Sequence, residues 1–210
     1  MLKTFIKNSD WIGRLYYLIT KCGYWILDAI IPVDRHLILF CSFSGRQVSD
    51  SPKAVYDELM HDQEFSQYRM VWAVTNLKLA KTGEAVKMES LKYYWLLFRA
   101  RYWVANTSIE RLIALNRKKH VYINTWHGIP LKKLALDEPH LSYLVKKWYQ
   151  TVQFDLLTCC SAYDQAIFKR IFPSTKNIAA LNLPRNYPLV QRADEQAAIL
   201  TNYNSSMIAR

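Results

Sequence analysis

The densest group of reactive side chains in this sequence lies in residues 120–134, HVYINTWHGIPLKKL. His127 can exchange a proton near neutral pH. Gly128 beside it has no Cβ, so a ligand or a second stretch of backbone can come close. Lys132 and Lys133 follow a few residues on and supply fixed positive charge. A lone histidine at a strand end is more often structural than chemical. The company of glycine, proline and two lysines is what points to a site, and the chemistry is proton transfer beside a bound anion. The elements that must position this group are legible around it. The apolar run 121–124 predicts a short buried strand with Asn124 at its exit. Trp126, His127 and Gly128 form the turn, and Pro130 suits the first position of a helix. A strand running through a turn into a helix aims backbone N–H groups and a positive dipole end at one point, which favours phosphate.

The rest of the chain is organised to match. Apolar runs predict strands over 36–43, 69–74, 85–88, 102–105, 154–158 and 177–181. Helical patterns fall between them at 51–61, 89–99, 138–151 and 161–172, and Thr107 to Glu110 has capping-box spacing for one more. Alternation of strands and helices after residue 36 predicts an α/β fold, a Rossmann-like doubly wound parallel sheet. Ligands of such sheets gather at the carboxyl ends of the strands, where Gly45, Asn106 and His127 fall.

Bulk composition narrows the class. A hydrophobic share of 51% with 14% aromatic residues excludes a disordered chain. Twenty-eight Lys and Arg against 17 Asp and Glu give +11, which implies a polyanionic partner. The basic residues are dispersed, and no helix-turn-helix, RNP or zinc pattern is present, so nucleic acid is not the expected partner. Cys22, Cys41, Cys159 and Cys160 form no CxxC pair and lie in apolar contexts, so they read as reduced core residues of a cytosolic protein. No metal constellation is visible, and no cofactor is expected. Residues 11–31 form an apolar helix interrupted by Arg14, Lys21 and Asp28, spaced seven apart along one face, with Tyr17, Tyr24 and Trp25 flanking them. Such a helix lies in a membrane interface or packs on the protein's own core; its charges argue against a span. Three regions result: an amphipathic membrane-interface helix in 1–35, an α/β domain in 36–190, and in 191–210 a polar tail or the start of a further domain.

Residues 125–134, TWHGIPLKKL, resemble the signature of the CDP-glycerol glycerophosphotransferases, which build teichoic-acid polymers. Three further segments resemble that family in order: SFSGRQVSDSPKAVYDEL at 42–59, FDLLTCCSAY at 154–163 and LPRNYPL at 183–189. Two residues depart from the last motif, with Asn182 in place of a usual Gly and Tyr187 in place of a usual Asp.

The resemblance implies a GT-B arrangement of two Rossmann-like domains, of which this chain corresponds to the N-terminal half. It implies transfer of glycerol phosphate, or ribitol phosphate, from a CDP-glycerol or CDP-ribitol donor to a lipid-linked glycerol-phosphate acceptor. His127 would be the catalytic base. Gly128 and Lys132 would hold phosphate, Gly45 and Arg46 would border the acceptor, and Arg185 would face the cleft. Because the nucleotide is held mainly by the second domain in that family, the chain alone is expected to be weak or inactive. The alternative is a membrane-associated, non-catalytic acceptor-binding module. The expected location is the cytoplasmic face of the cell membrane, held peripherally at an anionic surface.

Overall fold

A computed structural model describes residues 10–115 and 118–187. After helix α1 (Asp10–Ile30) come β1 (Asp34–Cys41), α2 (Asp50–His61), β2 (Arg69–Val74), β3 (Glu84–Lys87), α3 (Leu91–Arg99) and β4 (Ala100–Ala105). Then follow β5 (Val121–Asn124), α4 (Tyr143–Thr151), β6 (Leu156–Cys159), α5 (Ala162–Ile171) and β7 (Ile178–Ala180). All seven strands pair in parallel in the order β3-β2-β1-β4-β5-β6-β7. The order reverses between β1 and β4, so a crevice opens outside their carboxyl ends.

Period-two alternation in β1 splits the core into two layers. Leu37, Leu39 and Cys41 join one cluster with Tyr93 and Leu96 of α3, Trp148 of α4 and Phe168 of α5. Ile38 and Phe40 face the other way, onto Trp72 of β2 and Tyr56 of α2. There the rings of Phe40, Tyr56 and Trp72 meet at centroid distances of 5.3–5.5 Å. Helices thus cover both faces of the sheet, as the apolar strands require.

The expected alternation fails at two connections. Only a single 3-10 turn, Leu77–Leu79, joins β2 to β3. No helix forms between β4 and β5 among the described residues. There Glu110 does not reach back to cap a helix; it is buried and accepts from Trp148 Nε1 at 2.8 Å. Arg111 and Leu112 have φ of +56° and +68°, which stops a right-handed helix at once. Nor does a helix start at Pro130. Pro130 is buried while Ile129 and Leu131 on either side are exposed, the alternation of an extended segment.

Helix α1 packs on the protein's own core, one of the two arrangements its sequence allowed. The three charged residues of its stripe all make contacts with the fold. The Arg14 guanidinium lies 5.4 Å from the Tyr143 ring centre, and Lys21 Nζ donates to the Ala114 carbonyl. Asp28 accepts from His120 Nε2 at 2.8 Å and pairs with Lys119 Nζ at 3.1 Å. Tyr17 and Tyr24 belong to the core instead of reaching toward water. The opposite face carries Trp11, Leu15, Leu18, Ile19, Ile26 and Ile30, all exposed. Among the described residues, no helix is long and apolar enough to cross a membrane. Cys22 is exposed on α1, against the expectation that every cysteine is in the core; Cys41 and Cys159 are buried, and all four thiols are free. The polar tail of 191–210 and Arg117 of the basic loop lie outside the described residues.

Asp28 therefore anchors α1 through charge in a dry setting. Burial works to raise its pKa, but hydrogen bonds from His120 and Lys119 outweigh that and leave it below the usual carboxylate value. Asp28→Ala should lower stability in urea by about 2–3 kcal/mol, because it strands Lys119 and His120. A carboxylate with a depressed folded pKa stabilises above its unfolded value of about 4 and loses that contribution as pH falls through the folded value. The gap between the two proteins should therefore be widest near neutrality and close in acid.

Candidate acceptor site at the strand reversal

The turn after β1 has an unusual backbone for a reason. Phe43, Ser44 and Gly45 have φ of +47°, +55° and +77° in succession. Their polar groups are taken by neighbouring strand ends. Phe43 N–H donates to Asn106 Oδ1 at 2.8 Å, and Ser44 N–H donates to Thr107 Oγ1 at 2.8 Å. The Gly45 carbonyl accepts from Thr75 N–H at 2.7 Å. Left-handed residues cost about 1–3 kcal/mol each unless the surroundings fix them, and such clusters mark functional sites. Two more stand nearby: Asp50 at +65°, opening α2, and Trp126 at +51°, after β5.

His127 sits at the centre of these turns. Thr125 N–H donates to the Ala105 carbonyl at 2.8 Å, and Asn124 Oδ1 accepts from Trp126 N–H at 2.9 Å, which fixes the chain leading into it. The imidazole stacks on Trp126 with centroids 4.4 Å apart, and Trp126 is itself packed edge-on against Phe168 and Phe172. Burial lowers the His127 pKa, Asp50 opposes this, and Arg185 adds to it. The net result is a neutral imidazole at neutral pH, the form that accepts a proton.

Small-molecule sites are clefts of roughly 300–1,000 Å³, and one of about 510 Å³ opens at His127. Arg46 and Arg111 supply its positive charge, and Ser44, Thr75, Thr107 and Ser108 its hydroxyls. Trp126, Trp148 and Tyr149 form an aromatic wall. Two cations, several hydroxyls and a neutral imidazole can hold an anionic polyol and take a proton from it. Among the described residues, no cluster of three His, Cys, Asp or Glu side chains is placed to hold a metal ion.

The structure brings most of the expected site residues together. His127 and Arg46 share the cavity. Gly45 lies beneath it, with a packing role: a Cβ there would sit 2.2 Å from Met88 Sδ and 3.1 Å from the Ala73 carbonyl. A Cβ on Gly128 would meet nothing within 4 Å, so the space beside His127 is open. Arg185 approaches from the Pro184–Asn186 turn, where its Nη1 donates to the His127 carbonyl at 3.3 Å. Lys132 is the outlier. It stands on an exposed loop outside the cavity, and the helix N-terminus that was to accompany it is absent. Arg111 escaped the sequence reading because it lay in the stretch assigned to a helix. Its position just beyond a strand's carboxyl end was the available signal.

Fold and site together define a Rossmann-like α/β domain with a cationic cavity at the topological switch point. The solved wall teichoic acid polymerase TagF shares this fold. A His-to-Asn variant of it matches with a TM-score of 0.70 and 26% identity over 94% of this chain and 51% of that one. The sequence also matches curated relatives called teichoic acid poly(glycerol phosphate) polymerase. In Bacillus spizizenii the identity is 29%, over 88% of this chain and 48% of the relative. In Bacillus subtilis strain 168 it is 32%, over 80% of this chain and 24% of the relative. The chain thus spans half or less of the length of these relatives. Residues 24–207 match the family model of CDP-glycerol:poly(glycerophosphate) glycerophosphotransferases, and the chain belongs to that family.

Gly45→Ala tests whether the β1 turn depends on a missing Cβ. The left-handed φ and the Met88 contact should together cost about 1–3 kcal/mol in unfolding free energy. A thermal or urea midpoint equal to that of the unsubstituted protein would refute the packing account.

Proposed function

We propose that this chain handles the acceptor in teichoic-acid synthesis, with His127 as the base. The observation that carries this reading is the neutral, half-buried imidazole facing a cavity with Arg46 and Arg111 at the strand reversal. In the reaction, a hydroxyl of a lipid-linked glycerol-phosphate acceptor attacks the β-phosphorus of CDP-glycerol or CDP-ribitol. The new O–P bond forms as the bond to CMP breaks, and the electron pair leaves on the CMP phosphate oxygen. His127 takes the hydroxyl proton, while Arg46 and Gly128 border the place where phosphate charge gathers. A family name that specifies CDP-glycerol, and a TagF crystal soaked with CDPG, support the donor class. Arg185, whose Nη1 reaches the His127 carbonyl, would meet the donor's side of the cleft.

Where transfer proceeds, by the chain alone or with a partner half that holds the donor, His127→Ala should reduce CMP release from CDP-glycerol in the presence of acceptor by about 10²–10⁴-fold while leaving the fold intact. A base with a lowered pKa stays deprotonated to lower pH, so the acid limb of the rate profile should lie below about 6.5. A variant that keeps most of its CMP release removes His127 from the chemistry.

We further propose that α1 attaches the protein peripherally to an anionic membrane at its cytoplasmic face. The inward charges of Arg14, Lys21 and Asp28 lock the helix so that Trp11, Leu15, Leu18, Ile19 and Ile30 point away from the fold. The net charge of +11 would be attracted to acidic headgroups. Removing residues 1–32 would take Tyr17 and Tyr24 from the core, so point changes give the cleaner test. Trp11→Ser, Leu18→Ser and Ile19→Ser combined should weaken co-sedimentation with phosphatidylglycerol vesicles by about tenfold or more, at unchanged stability. Equal binding would show that this face does not make the attachment.

A further inference from the structure

Asp50 has no assigned part in the reaction, and its surroundings exceed what a helix start requires. Its side chain is 3% exposed and its φ is +65°, so a carboxylate has been placed in a strained, nearly dry position. It makes no ordinary first-turn contribution to α2: the capping position belongs to Ser49, which makes no side-chain cap bond. Instead one carboxylate oxygen accepts from Asn106 Nδ2, and the other pairs with Arg185 Nη1 at 2.5 Å. The same Arg185 nitrogen donates to the His127 carbonyl. Asp50 and Arg185 are 135 positions apart, so the pair ties the start of α2 to the last described turn.

We propose that Asp50 is a positioning residue for His127, acting through Arg185. The carboxylate fixes the guanidinium, and the guanidinium holds the His127 backbone so that the imidazole stays stacked on Trp126 and turned to the cavity. Asn106 fixes the carboxylate in turn, and it also binds the β1 turn that carries Arg46. The charged groups around the imidazole come from four elements. Asp50 belongs to α2 and Arg185 to the Pro184 turn; Arg46 follows β1, and Arg111, paired with Glu89 at 2.8 Å, follows β4. Arg185 is thereby a link within the protein as well as a rim cation, and Asp50 governs where it stands. This inference rests on the reading of His127 as the base.

The test is a proton NMR titration of the five histidines in the full chain, with His127 assigned by its disappearance in His127→Ala. Asp50→Asn keeps the shape and removes the ion pair; Arg185→Gln removes it from the solvent-facing side, so one variant folds even if the other does not. Each should move the His127 ring resonances away from their Trp126-stacked position. In Arg185→Gln the titration midpoint should also rise toward about 6.5, since a neighbouring cation and part of the burial are lost together. The double variant should shift the ring no further than the larger single change, because both break one link. In CMP release, each single variant should lose about tenfold or more in kcat with little change in acceptor KM. Unmoved His127 resonances in folded Asp50→Asn and Arg185→Gln, or fully additive shifts in the double variant, would overturn the proposal. Failure of the base reading would show separately, as CMP release that survives His127→Ala while the NMR coupling persists.

Discussion

The side chain of Asn106 stands fully buried at the exit of β4, where the strand order reverses, and both of its polar ends are engaged. Its carbonyl oxygen receives the N–H of Phe43, and its amide donates to Asp50 and toward Ser42. A parallel sheet leaves the groups at its strand ends unpaired, and a buried amide with donors and acceptors can satisfy several at once. Because that demand is met at one point, the β1 turn can hold three left-handed residues and α2 can open on a fourth. The site stands on this network. Thr107 and Thr75 complete the hold on the β1 turn, and Asn124 holds the backbone at Trp126.

Charge placement follows the same logic on a larger scale. Helix α1 turns its ionic residues into the fold, where His120, Lys119 and Tyr143 receive them, and leaves its aliphatic residues outside. Packing of this polarity fixes the helix rotation firmly, because each buried charge has a specific partner and rotation would strand it. The domain side of α1 meets α4 through Tyr17 and Tyr143, and α4 contributes Trp148 and Tyr149 to the cavity wall. The outward apolar face and the cavity are therefore joined by two packed helices.

Arg185 shows how one residue can serve two ends. Its motif suggested a cleft-facing cation, and the structure sets it against the His127 carbonyl while tying it to Asp50. Lys132 shows the opposite case. With no helix at Pro130 its charge stands in solvent, where an isolated cation holds phosphate only weakly.

The sequence by itself determined the parallel α/β sheet. Strands buried on both faces must be continuous apolar runs, so β2 at Arg69–Val74 and β5 at Val121–Asn124 were readable residue for residue. Local caps were readable as well: Ser161 Oγ accepts from Asp164 N–H at the start of α5, as its position implied. The place of His127 at a strand end, and the family motif around it, needed nothing but neighbours in the chain. Tertiary structure alone decided the rest. Which face of α1 turns inward depended on Lys119 and His120, about ninety positions away. Whether Thr107 to Glu110 opened a helix depended on Trp148 drawing the Glu110 carboxyl into the core. The tie between Asp50 and Arg185 joins the two ends of the sheet domain. Helix propensity and hydrophobic period act over a few residues, whereas a buried charge takes its partner from wherever the fold brings one.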